Sequence, residues 1–135
     1  MNRVRKRVLI SDCDVEALLA LEHLLEDEGF DTTTACTTDK TIQLLRTREF
    51  DLILAADHPP EVDCEMVLCI TQSSNTPVIA MQVRSRHPFA EAYLLSHGAK
   101  QIVHKWEHQE VHDAVNRILS GHEGGSGKSL VAATG

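Results

Sequence analysis

The chain has 135 residues, with 20 acidic against 13 basic side chains and a formal net charge of −7 at neutral pH. This length suits one domain with its own core, and the net negative charge argues against general binding to nucleic acid or membrane surfaces. No segment approaches the ~18 apolar residues of a membrane helix, and no signal peptide is evident. We therefore expect a cytoplasmic protein, and reduced thiols for its four cysteines.

Five apolar segments typical of buried strands alternate with five segments of helical periodicity. The predicted strands are 8–11, 30–35, 51–56, 77–81 and 101–104. The predicted helices are 15–28, 37–48, one that begins near Asp63, one around Phe89 to Leu94, and 107–120. Strict alternation of short buried strands with helices indicates a parallel sheet covered on both faces. The sequence thus predicts an α/β, doubly wound domain over residues 1–120.

Residues 121–135 are rich in glycine and small side chains and are expected to form a flexible tail. The tail contains GGSGKS, which is similar to part of a phosphate-binding loop. The full G-x-x-x-x-G-K-[ST] pattern would place its first glycine at position 122, where this chain has histidine. We therefore favour a linker over a nucleotide site.

Ligands of doubly wound sheets bind at the carboxyl ends of the strands. The residues that follow the predicted strands are therefore the candidates for a functional site. They are Asp12 and Cys13 after the first strand, Ala56, Asp57 and His58 after the third, Gln82 after the fourth, and Lys105 and Trp106 after the fifth.

The sequence resembles the receiver domains of two-component response regulators over residues 6–120. The resemblance rests on DCD after the first strand, DLILAADHPPEVD around the third, TPVIAM at the fourth and HGAKQIVHK through the fifth. It implies a flavodoxin-like (βα)5 fold with strand order 2-1-3-4-5. It also implies phosphoryl transfer from a histidine kinase to an aspartate after the third strand. In this family an acidic pair holds Mg²⁺, and a Thr or Ser and a Lys contact the phosphoryl group.

This sequence departs from the family pattern at most of the chemical positions. Ala56 stands at the phosphoacceptor position, Asp12 and Cys13 at the acidic pair, and Gln82 at the Thr or Ser position, while Lys105 is retained. An alanine methyl cannot be a nucleophile, and one carboxylate is a poor Mg²⁺ site. We therefore expect a degenerate pseudo-receiver that acts through protein–protein interaction. It would have no enzymatic activity and no cofactor.

Two alternatives remain open. In the first, the chain is a functional phosphorelay receiver in which Asp57 accepts the phosphoryl group and Asp12 and Asp57 hold Mg²⁺. Because side chains alternate along a strand, Asp57 is expected to point away from the family site. In the second, Asp12, Cys13 and His58 form a transition-metal site, or Cys13 is a redox sensor.

The resemblance also implies an interaction surface formed by the fourth helix, the fifth strand and the last helix. Tyr93, Trp106, His108 and His112 are the candidates for this surface, because Trp and Tyr are frequent anchors of interfaces. His104, His108 and His112 recur at intervals of four residues, and their titration could make this face acid-sensitive. We favour the interpretation that they are ordinary exposed histidines. The expected partners are a signalling protein, such as a histidine kinase or regulator, or a second copy of the chain.

Overall fold

The computed structural model describes residues 5–56, 74–82, 94–104 and 106–124, together with residues 70, 72 and 92; for 121–124 it describes the backbone only. This part of the chain contains five strands and three helices. They are β1 (Arg7–Ser11), α1 (Val15–Asp27), β2 (Asp31–Ala35), α2 (Thr38–Thr47), β3 (Leu52–Ala56), β4 (Val78–Gln82), β5 (Gln101–His104) and α3 (His108–Gly124). The two other predicted helices fall mostly outside the described residues, although residues 70, 72, 92 and 94–96 have helical backbone.

The five strands form one parallel sheet in the order β2-β1-β3-β4-β5. This order confirms the predicted doubly wound α/β fold. β3 is the central strand, between β1 and β4, and it is buried along its whole length. A parallel strand buried on both faces needs apolar side chains at every position, which LILAA provides.

The core lies in two layers, one on each face of the sheet, because alternate strand residues point to opposite faces. Leu52, Leu54 and Ala56 of β3 join the layer that includes α1 and α3. Ile53 and Ala55 join the layer that includes α2. The period-two alternation of β3 therefore divides one apolar run between both layers.

Side-chain caps fix where α1 and α2 begin. The Asp14 carboxylate accepts the backbone N–H of Glu16 at 3.1 Å and of Ala17 at 3.4 Å. The Thr37 hydroxyl accepts the backbone N–H of Lys40 at 3.0 Å. Such caps satisfy donors that a helix leaves unpaired at its first turn.

Two elements extend beyond their predicted ends. β4 includes Gln82 because it pairs with His104 of β5. α3 continues to Gly124, four residues past the predicted end at Ser120, since one glycine inside a helix costs only about 1 kcal/mol. The division between a domain and a tail at residue 120 stays a prediction. No helix in the described part of the chain is long and apolar enough to cross a membrane.

Candidate functional site

The carboxyl ends of the parallel strands bring several predicted site residues to one edge of the sheet. Ala56 at the end of β3 lies opposite Met81, and Gln82 at the end of β4 lies opposite His104. Asp12 directly follows β1, the other neighbour of β3. The sheet register therefore places Asp12, Ala56 and Gln82 at the same edge, as the strand-end argument predicts.

Asp12 is a buried carboxylate at the entrance to α1. Its side chain accepts the backbone N–H of Asp14 at 2.9 Å, and its own backbone N–H donates to the Ala35 carbonyl at 3.0 Å. The first contact holds the carboxylate close to the helix N-terminus, where negative charge is favourable. Asp12 thus has a structural role at the point where β1 passes into α1.

Ala56 is buried and belongs to the same core layer as Ile10, Leu54 and Met81. Its side chain is a methyl group with no lone pair. An acyl phosphate forms only on a carboxylate oxygen, so this position cannot accept a phosphoryl group.

Gln82 contributes an amide at the end of β4 in place of a hydroxyl group. The residue is half-buried, and its Oε1 atom is buried with no hydrogen-bond partner among the described residues. A buried carbonyl oxygen without a donor costs roughly 1–3 kcal/mol. Among the described residues, the amide oxygen of Gln82 is therefore an unused acceptor at this edge.

The possible metal ligands among the described residues at this edge do not suit Mg²⁺. They comprise the Asp12 carboxylate, the half-buried Cys13 thiol and the Gln82 amide, whereas Mg²⁺ prefers hard oxygen ligands in an octahedron. Within the described ranges, no three His, Cys, Asp or Glu side chains are grouped closely enough to bind a metal ion. The metal hypothesis that joins Asp12 and Cys13 to His58 stays a prediction, because His58 is outside those ranges.

Asp57, Lys105 and Tyr93 also lie outside the described residues. The predicted orientation of Asp57, the contact of Lys105 with this edge and the placement of Tyr93 on an interaction surface remain predictions.

Trp106 follows β5 and is 43% exposed. Its backbone N–H donates to His104 Nδ1 at 3.4 Å. Its ring centroid lies 6.2 Å from that of His108, with the planes tilted by 38°. Trp106 and His108 thus form a small aromatic pair at the start of α3.

All three histidines of the predicted series are half-buried, and His112 meets a carboxylate at the end of α1. Its Nε2 atom lies 3.2 Å from Glu28 Oε1, and its side chain is only 26% exposed. The hydrogen bond that His112 donates to the Glu28 carboxylate raises the pKa of His112 above 6.5. Partial burial opposes this, while the charge of Glu28 and the hydrogen bond and charge of Asp113 add to it. The expectation of a simple exposed histidine is therefore wrong for His112. The sequence could not show this contact, because residues 28 and 112 meet only in the folded chain.

No protein-family model matches the sequence, and no curated protein matches it. Solved structures do. A two-component response regulator from Clostridium difficile is 19% identical, with a TM-score of 0.76, covering 86% of this chain and 97% of that one. A CheY-like receiver domain protein from Methanospirillum hungatei is 20% identical, with a TM-score of 0.78, covering 91% of this chain and 100% of the other. The receiver domain of an HD domain-containing protein from Pseudomonas fluorescens is 23% identical, with a TM-score of 0.77 and coverage of 92% and 93%.

The chain therefore has the fold of response-regulator receiver domains. The sheet order and the two core layers agree with this likeness, which extends over almost the whole of each compared domain. Identities near 20% carry the fold and leave the chemistry to be argued from the residues themselves.

Proposed function

We propose that this chain is a degenerate receiver-like signalling domain that acts by binding protein partners, without aspartyl phosphorylation and without enzymatic turnover. The observation that carries the proposal is Ala56, a buried methyl at the end of β3. In the receivers that the sequence resembles, this position holds the aspartate that accepts the phosphoryl group.

The neighbouring positions support the same conclusion. Phosphoryl transfer depends on positioning and on neutralising charge, and Cys13 is a soft ligand that suits Mg²⁺ poorly. Asp12 remains, but its carboxylate is engaged with the start of α1. The domain would accordingly work without Mg²⁺.

Partner binding is proposed to involve the surface around Trp106. An indole exposed to 43% beside the His108 ring presents a large, rigid and amphipathic contact, of the kind that anchors protein interfaces. A histidine kinase, another regulator or a second copy of the chain would fit a receiver-like domain.

Phosphorylation tests the proposal directly. The protein is incubated with acetyl phosphate and Mg²⁺, and its intact mass is measured. Phosphorylation would transfer the phosphoryl group to a carboxylate oxygen and release acetate. We expect no gain in mass. A gain of one phosphoryl group that disappears in Asp57→Asn would overturn the proposal and establish the alternative, a phosphorelay receiver that uses Asp57.

Ala56→Asp provides the matched positive control, because it returns a carboxylate to the acceptor position. A mass gain in this variant alone would identify Ala56 as the position where the chemistry was lost. Circular dichroism of each variant checks that the fold is retained.

The interaction surface has its own test. Trp106 is the single tryptophan, so its emission reports on this surface alone. If the chain forms a homodimer there, emission shifts to shorter wavelength as the protein concentration rises, and Trp106→Ala sediments as a monomer. Leu19→Ala, at an apolar residue of α1 that is 53% exposed, is the matched control. A constant emission with monomeric sedimentation would exclude the homodimer.

A further inference from the structure

His112 of α3 lies between two carboxylates where α3 approaches the end of α1. Its Nε2 atom is 3.2 Å from Glu28 Oε1, and its Nδ1 atom is 3.6 Å from Asp113 Oδ1. Within the described part of the chain, Glu28 and Asp113 are the charged groups that face the ring. Each ring nitrogen therefore faces its own carboxylate.

Further contacts fix the Glu28 backbone and the Asp113 carboxylate. Glu28 caps the end of α1, where its backbone N–H donates to the Leu25 carbonyl at 3.0 Å. The Asp113 carboxylate accepts a hydrogen bond from Gln109 Nε2 at 3.0 Å. The Asp113 carboxylate is thus held beside the imidazole, and the Glu28 side chain starts from a fixed helix end.

Asn116 restricts the ring on its remaining side. Its amide nitrogen donates to the His112 carbonyl at 3.0 Å and lies 3.2 Å from His112 Nε2. An amide nitrogen can only donate, so it bonds to Nε2 when that atom carries a lone pair; when Nε2 carries hydrogen, Glu28 is its acceptor.

The two carboxylates favour the protonated ring, whereas the Asn116 amide can donate to Nε2 of a neutral ring. A neutral imidazole carries hydrogen on one nitrogen and a lone pair on the other. With hydrogen on Nε2, the lone pair of Nδ1 faces Asp113; with hydrogen on Nδ1, the lone pair of Nε2 faces Glu28. Either neutral tautomer opposes a lone pair to a carboxylate, whereas the imidazolium directs an N–H toward each.

The cluster adjoins the apolar contact between the two helices. Val111 and Val115, on either side of His112 in α3, are fully buried in the same core layer as Leu21 and Leu25 of α1. An interaction between Glu28 and His112 therefore acts in parallel with the packing of α3 on α1.

We propose that Glu28 and His112 form a proton-dependent latch between α1 and α3. When His112 is protonated, the latch stabilises the docking of α3; when the ring is neutral, two carboxylates remain without a cation between them and the latch is weakened. The latch is independent of phosphorylation, because it uses neither Ala56 nor Asp12.

The direction of the pH effect follows from the shift in pKa. Folding raises the pKa of His112 above its ordinary value of 6.5. The stabilisation is therefore complete below 6.5 and is lost as the pH rises through the pKa of the folded state. Loosening of α3 is expected on the alkaline side of this window.

NMR titration of the histidine ring protons tests the latch in the unmodified protein. We expect His112 to titrate above 6.5, and its pKa to fall in Glu28→Gln, a change that removes the charge and keeps the side-chain size. A pKa of His112 at or below 6.5 in the unmodified protein, or one unchanged in Glu28→Gln, would overturn the proposal.

Urea unfolding between pH 5 and pH 8.5 supplies the second measurement. The unfolding constants measured at pH 5 and at pH 8.5 should differ by a fixed factor. This factor is the acid dissociation constant of His112 in the unfolded protein divided by that in the folded protein. This dependence should vanish in His112→Gln, weaken in Glu28→Gln, where Asp113 remains beside the ring, and persist in His23→Gln. If His112→Gln retains the full pH dependence, the latch does not exist; if that variant fails to fold, the NMR titration still decides.

Discussion

Replacing Thr41 by valine should destabilise the protein more than replacing Ser11 by alanine, although both hydroxyl groups belong to one hydrogen bond. Ser11 at the end of β1 and Thr41 in α2 are fully buried, and their hydroxyl oxygens lie 2.8 Å apart. The Thr41 hydroxyl also lies 2.8 Å from the Thr37 carbonyl. Because a carbonyl can only accept, Thr41 donates its single proton there, and Ser11 must donate to Thr41.

The two changes therefore leave different groups unpaired. In Thr41→Val the Ser11 hydroxyl loses its acceptor where water cannot reach it, at a cost of about 1–3 kcal/mol. The Thr37 carbonyl still accepts the Thr41 backbone N–H at 3.1 Å. In Ser11→Ala the Thr41 hydroxyl keeps its acceptor, so only one neutral hydrogen bond is lost, which is worth roughly 0.5–1.5 kcal/mol.

Urea denaturation of the unmodified protein, both single variants and the double variant would measure these costs in a double-mutant cycle. The double variant contains no unpaired hydroxyl, so we expect its loss to be about 1 kcal/mol smaller than the sum of the single losses. Equal losses in the two single variants, or strict additivity, would refute the assigned direction of the hydrogen bond.

Three further results are expected. Leu21→Ala should lower the free energy of unfolding in urea by about 2–5 kcal/mol because the side chain is fully buried. Leu19→Ala, on the exposed side of the same helix, should lower it by almost nothing. Similar losses in the two variants would contradict the assignment of the buried face of α1. Asp14→Ala should cost about 0.5–2 kcal/mol through loss of the α1 cap, and Asp14→Asn should recover most of it. His112→Gln should lower stability below pH 6.5 and matter less as the pH rises through the raised pKa of His112; a pH-independent loss would contradict this.

The sequence alone predicts much of the fold. The run LILAA reads as a strand buried on both faces, and the structure divides it between the two core layers. The spacing of Leu18, Leu21 and Leu25 predicts the buried face of α1, and Gly29 its end, which the structure places at Asp27 with φ of +92° at Gly29. These features are local, because strand and helix periods are set by neighbours in the chain.

The candidate site was predictable in its position and less so in its contacts. Because parallel strands end at one edge, their order along the chain brings Asp12, Ala56 and Gln82 to that edge. Only the coordinates show that the Asp12 carboxylate accepts the backbone N–H of Asp14, the N-cap residue of α1. Only they show that the Gln82 amide oxygen is buried without a donor among the described residues.

Contacts between distant parts of the chain were decided by tertiary structure alone. Ser11 reaches Thr41 across the junction of β1 and α2, and Glu28 reaches His112 across the junction of α1 and α3. No periodicity links such residues, since their approach depends on how each helix docks on the sheet. The conclusion about Ala56 needs no structure. The residue type alone shows that position 56 cannot accept a phosphoryl group, since no fold can make a methyl group a nucleophile.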